Sequence, residues 1–81
     1  MSTPVGKPKK YWIGMAPKKC DGCHLEIPST VGTIFYDAKH PMLGQWGFFC
    51  IYCFVRYNLS LGSGFGQQYT LEADGWVKTK G

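Results

Sequence analysis

No apolar run in this sequence is long enough to cross a bilayer. The longest, WGFFCIYCFV (Trp46–Val55), falls well short of the about 20 residues that a spanning helix needs. The opening MSTPVGKPKK is polar and leads into no apolar h-region, so nothing in it reads as a secretory signal. Acidic side chains are scarce as well. Five Asp and Glu stand against nine Lys and Arg, giving a net charge of +4 and a pI near 9.0. That balance suits an acidic partner such as nucleic acid, although it bears on association and solubility and not on fold. Histidine occurs twice and cysteine four times, and all four cysteines fall in two close pairs.

A chain of 81 residues has room for one domain. At that size only about 60% of the unfolded surface is buried on folding, and such domains commonly rely on a staple. Five Phe, five Tyr and three Trp are enough for a small dense core. The staple is sought in the cysteines.

They are arranged as Cys20-x2-Cys23, a spacer of 26 residues, and Cys50-x2-Cys53. Each pair offers two neighbouring corners of a tetrahedron, and folding brings the corners together, so the pattern predicts one structural Zn2+ held by Cys20, Cys23, Cys50 and Cys53. Disulfides suit a secreted mini-protein, for which no signal is present, and a bond within a C-x-x-C closes only a tiny loop. A redox C-x-x-C sits at a helix start in a βαβ setting, which is missing. Iron in a rubredoxin-like site is the nearest rival, but small residues, often Gly, follow its cysteine pairs, where His24 and Phe54 stand here. His24 enters as a ligand only if a cysteine is displaced.

Residues 1–10 read as a flexible basic tail containing Lys7, Lys9 and Lys10, and residues 11–81 as a single zinc-binding domain. YWIGM (Tyr11–Met15) is an apolar patch, an edge strand or a lid on the core. PKKCDGCHLEI fits a zinc knuckle with Asp21-Gly22 in the tight turn. STVGTIFYD and WGFFC flank the breaker AKHPMLGQ, which predicts a β-hairpin over residues 30–50. Ile51, Phe54, Val55 and Leu59 then recur at helical spacing, with Gly62 placed as a C-terminal cap and Cys53 in the first turn. Asp74-Gly75 between two β-prone runs predicts a closing hairpin. The expected fold is therefore a small α+β zinc-stapled domain, a treble clef of knuckle, hairpin and short helix followed by a C-terminal β-hairpin. The alternative is a zinc ribbon, with both cysteine pairs on knuckles and no helix.

CDGC, FYDAK, WGFFCIYC, LGSGFGQQYTLE and GWVKTKG together resemble a family of small four-cysteine proteins encoded by tailed bacteriophages. The resemblance covers about residues 18–81. It implies zinc binding through the four cysteines and no defined activity; with nothing that reads as a targeting segment, the expected location is the host cell cytoplasm.

Contacts with a partner are expected from Lys9, Lys10, Lys18, Lys19 and Arg56, interleaved with aromatics that can stack on bases. The glycines of LGSGFGQQ, Gly62, Gly64 and Gly66, free the backbone for an anion-cradling nest; the competing reading is a helix cap and turn. These glycines follow a helix and no Gly-Lys-Ser/Thr is present, so the phosphate-loop and dinucleotide readings fail. The function expected is a non-enzymatic interaction module contacting nucleic acid or a host nucleic-acid-processing protein. No membrane and no small-molecule substrate is implied. The alternative is a protein-only adaptor, host-enzyme inhibitor or virion assembly protein. A ββα-metal nuclease is the third reading, and it requires Asp37, His40 and Asn58 to converge on a second metal.

Overall fold

The alternating apolar segment IFYDAK forms strand β1 (Ile34–Lys39) in the computed structural model, which describes residues 9–81. Segment 1–8, with Lys7, lies outside the described residues. Strand β2 (Trp46–Phe49) runs antiparallel to β1, in register from Tyr36 opposite Phe49 to Lys39 opposite Trp46. The hairpin expected over 30–50 is present. Its loop is closed by the His40 N–H on the Gln45 carbonyl and the Gly44 N–H on the His40 carbonyl, each at 2.8 Å.

Helix α1 (Ile51–Arg56) follows, then β3 (Gly66–Glu72) and β4 (Gly75–Lys80). Glu72 pairs with Gly75 across a two-residue turn at Ala73 and Asp74, and the φ of +133° at Gly75 is one that a side chain rarely adopts. The closing hairpin does not stand apart. β3 pairs with β1 from Ile34 opposite Thr70 to Ala38 opposite Gly66, making one antiparallel sheet in the order β2-β1-β3-β4. Gly66 permits the closest approach, because a Cβ there would lie 2.6 Å from the Ser60 carbonyl oxygen and 2.9 Å from Ala38 Cβ.

Alternation along β1 divides the core between the two faces of the sheet. Tyr36 and Ala38 pack with Phe49, Leu59, Cys20 and Cys53 on the helix side. Phe35 packs with Ile27 and Tyr69 on the other, under Trp12, Phe48 and Trp76. There the ring of Trp12 meets Phe35, Phe48 and Tyr69 edge-on at centroid distances of 5.6, 5.1 and 5.3 Å. Such T-shaped contacts match positive ring edges to negative faces. On the helix side, Tyr36 donates to Gln68 Oε1, Gln68 Nε2 donates to Thr79, and Thr79 meets Thr70, a polar chain that ties β1, β3 and β4 in one register.

Both outer strands are covered along part of their length, which blunts unpaired sheet edges. Against β4, the Lys78 N–H donates to the Lys10 carbonyl and the Trp12 N–H to the Trp76 carbonyl. The YWIGM segment is thus edge strand at Tyr11 and lid at Trp12. Lys10, in the segment read as the basic tail, is paired with β4 through its carbonyl. Against β2, the cover is the turn at Asp21.

The helix is shorter than its periodicity predicts, and Gly62 does not cap it. The Asn58 N–H donates to the Val55 carbonyl and the Leu59 N–H to the Phe54 carbonyl, with Asn58 at a φ of +54°. That is a Schellman ending with Asn in the left-handed position. Leu59 reaches the core from beyond the helix, while Val55, assigned to the same stripe, is 70% exposed. No helix among the described residues is long and apolar enough to cross a membrane.

Candidate metal centre

Lys19 and Glu26 form a short antiparallel bridge, and between them the Cys20 N–H donates to the Leu25 carbonyl and the His24 N–H to the Cys20 carbonyl. His24 takes a φ of +63° and is exposed. The turn sits at Asp21–Gly22, as its residue types predict. Glycine is demanded at position 22 by space, since a Cβ would fall 2.8 Å from Cys53 Sγ and 2.9 Å from Tyr57 Cε2.

Asp21 joins this turn to the sheet. Its N–H donates to the Phe48 carbonyl and its Oδ2 accepts the Phe48 N–H. The strand therefore delivers Cys50, one residue past β2, directly beside the turn. Cys50 is the N-cap of α1 and Cys53 lies buried in the first helical turn. All four sulfurs lie within 4.8 Å of one another, with Cys23 and Cys50 at 3.7 Å. Among the described residues no other group of His, Cys, Asp or Glu donors gathers in this way.

The backbone is arranged for negative sulfur. Gly22 and Cys50 each donate an N–H to Cys20 Sγ at 3.3 Å. Burial pushes the Cys20 thiol up, but the N–H groups of Cys23, Cys50 and Gly22 together overcome it and bring it down to about 7. Burial pushes Cys50 up, with the thiols of Cys23 and Cys20 adding to it against the Cys53 N–H. Cys53 is driven far up, first by burial and then by its three thiol neighbours. The cluster thus favours a thiolate at Cys20 and resists ionisation at Cys50 and Cys53. A cation among the sulfurs reverses that resistance, because a coordinating thiol is deprotonated outright. The four cysteines are therefore a site that can hold a metal ion.

No family model, curated protein or solved structure matches this chain.

The remaining residues singled out by the sequence lie in separate places. Lys9 pairs with Glu72 at 2.9 Å, and both stand at the surface. Lys9 and Lys10 line an open groove of about 480 Å³ with Lys78, Lys80 and Gly81. Lys18 and Lys19 are exposed on the cysteine turn. Arg56 lies 5.8 Å from the centroid of the Tyr57 ring. Gly62 and Gly66 exchange N–H···O bonds across a tight turn, and the Phe65 N–H also donates to the Gly62 carbonyl, so those donors are engaged within the turn. Gly62 and Gly64 carry φ of +119° and +82°.

Asp37 is half-buried in the middle of β1, and burial raises its carboxyl above the usual range. His40 Nδ1 accepts the N–H groups of Met42 and Leu43 and so caps its own loop. Asn58 is occupied as the helix terminator. Among the described residues no hydrogen bond joins Asp37, His40 and Asn58.

Two features escaped the sequence reading. The double hold of Asp21 on Phe48 joins segments 27 positions apart, and an Asp in a turn carries no mark of such a partner. The lysine groove exists because residues 10–12 lie along β4, and pairing at that distance leaves no local signal.

Proposed function

We propose that this chain is a non-enzymatic, zinc-stapled interaction module that contacts nucleic acid through the lysine groove beside β4. The zinc reading rests on donor chemistry and spacing. Sulfurs about 2.3 Å from a central Zn2+ lie about 3.8 Å apart at the corners of a tetrahedron, and Cys23 and Cys50 stand at 3.7 Å. Four thiolates fill the shell and leave no open position for water, so the ion is structural. A knuckle, a hairpin and a helix whose first turn carries Cys53 favour a treble clef over a zinc ribbon, which has no such helix.

The observation that carries the nucleic-acid reading is the grouping of Lys9, Lys10, Lys78 and Lys80 around one groove. Glu72 partly neutralises Lys9, while Lys10, Lys78 and Lys80 make no ion pair among the described residues. Three phosphate contacts imply a slope of log affinity on log salt of about −2 to −3. Replacing Lys78 or Lys80 by Gln should flatten the slope by about 1 and weaken binding evenly across sequences. Oligonucleotide titrations at several salt concentrations test this. Absence of salt-dependent binding to single- or double-stranded probes defeats the reading.

A protein-only role, as adaptor, host-enzyme inhibitor or virion assembly protein, is favoured by a different observation. The outer side of α1 presents Tyr52 at 80% and Val55 at 70% exposure beside half-exposed Ile51. A partner captured from nuclease-treated host lysate and lost on Tyr52→Ala would move the assignment there. From the resemblance to phage-encoded proteins we propose the cytoplasm of an infected host cell as the setting for either role.

A further inference from the structure

At the β2 edge of the sheet, between the cysteine turn and the β1–β2 loop, lies a separate hollow of about 300 Å³. Tyr57, Trp46 and Leu43 form apolar parts of its lining, and Asp21, His40 and Gln45 the polar parts. Leu43 is 70% and Trp46 50% exposed, so large apolar side chains stand in solvent around a concave surface. Ligand sites typically pair apolar walls with a few convergent polar groups, and this volume sits at their lower bound.

The polar groups are of defined kind. Because His40 Nδ1 accepts from the Met42 and Leu43 N–H groups at 3.2 Å, the neutral ring carries its proton on Nε2, where it is a donor. Asp21 uses Oδ2 on the Phe48 N–H and retains further lone pairs as an acceptor. The Gln45 amide offers both. The His40 ring leans on Tyr57 at a centroid distance of 5.4 Å, and the Arg56 guanidinium lies 5.8 Å from the same tyrosine ring. Flat aromatic surface beside a mixed donor and acceptor edge meets the requirements of an unpaired base.

The geometry points to a nucleobase as the occupant of this hollow. The assignment deepens the nucleic-acid reading and rests on it for the source of the base, an unpaired position in a strand. A free nucleotide presents the same ring. The Asp21 carboxylate accepts from amino groups and repels carbonyl oxygens, so adenine, guanine and cytosine are favoured over uracil.

The test is an amide NMR titration of the metal-loaded full chain with AMP, GMP, CMP and UMP separately, then with a short single-stranded oligonucleotide. The expected result is saturable shifts at His40, Gln45 and Trp46, with UMP at least fivefold weaker than the tightest of the others. Gln45→Ala and His40→Gln should each weaken binding about tenfold. Gln45→Ala leaves the Gln45 carbonyl bond to His40 in place, and its metal content reports whether it is folded. Shifts confined to Lys10, Lys78 and Lys80, or none with any nucleotide, overturn the base site. Oligonucleotide binding that survives alongside them keeps the nucleic-acid reading. Mononucleotide shifts at the hollow with no oligonucleotide binding defeat that reading and leave a free nucleotide as the ligand.

Discussion

Asp21 holds both backbone polar groups of Phe48: its N–H donates to the Phe48 carbonyl at 2.7 Å and its Oδ2 accepts the Phe48 N–H at 2.8 Å. Through that residue the turn carrying the first cysteine pair is locked to the strand that delivers the second. Asp21→Ala should leave the Phe48 N–H to solvent and cost about 1 kcal/mol, below the about 1.5–3 kcal/mol of a charged acceptor because the site is exposed. A lower denaturant midpoint at unchanged slope is the expected signature. An unchanged midpoint would mean that the cysteine cluster alone aligns the two segments.

Asn58 ends α1 in the left-handed region, with φ at +54°. Asn58→Gly should be neutral or slightly stabilising, whereas Asn58→Val should cost about 1–2 kcal/mol, the strain of a branched side chain in that region. Thermal denaturation of the pair distinguishes them. Equal stability would contradict the Schellman ending.

Asp37 points to a pH effect of definite sign. Burial raises its carboxyl in the folded chain, so folding favours the protonated form. Its contribution is present at low pH and is lost as pH rises through the folded value; at pH 7 the ionised group opposes the fold. Asp37→Asn should therefore raise the melting temperature at pH 7 with zinc in excess. A lower melting temperature would imply a partner for the carboxylate that stabilises its charge.

The cysteine spacing, the turn at Asp21-Gly22, the hairpin over 30–50 and a closing hairpin near Asp74-Gly75 were legible because each rests on local chemistry, although the closing turn sits one residue earlier, at Ala73-Asp74. The helix end was not. Ile51, Phe54, Val55 and Leu59 satisfy a helical stripe, yet Val55 faces solvent and Leu59 is buried from outside the helix. A six-residue helix is too short for periodicity to define, and the terminator was an Asn where a Gly lay four residues on. The union of two hairpins into one sheet was also hidden, because the pairing of β1 with β3 depends on contacts such as Ala38 against Gly66 that no short window contains. At the cysteine site the sequence named the four sulfurs. It did not reveal that backbone N–H groups converge on Cys20 Sγ, one of them from Cys50 across 30 positions.

The central claim is that one zinc ion bound by Cys20, Cys23, Cys50 and Cys53 is part of the fold. Because metal binding energy is then folding energy, stripping the ion should unfold the chain, and acid should do the same as protons compete for the thiolates. The direct measurement is native mass spectrometry of the purified chain before and after chelation, with circular dichroism on the same samples. The account predicts one zinc per chain, loss of strand and helix signal on chelation, recovery on adding zinc, and no bound zinc in Cys53→Ser. A chain that carries no metal, or one that keeps its full spectrum once the metal is gone, would contradict it.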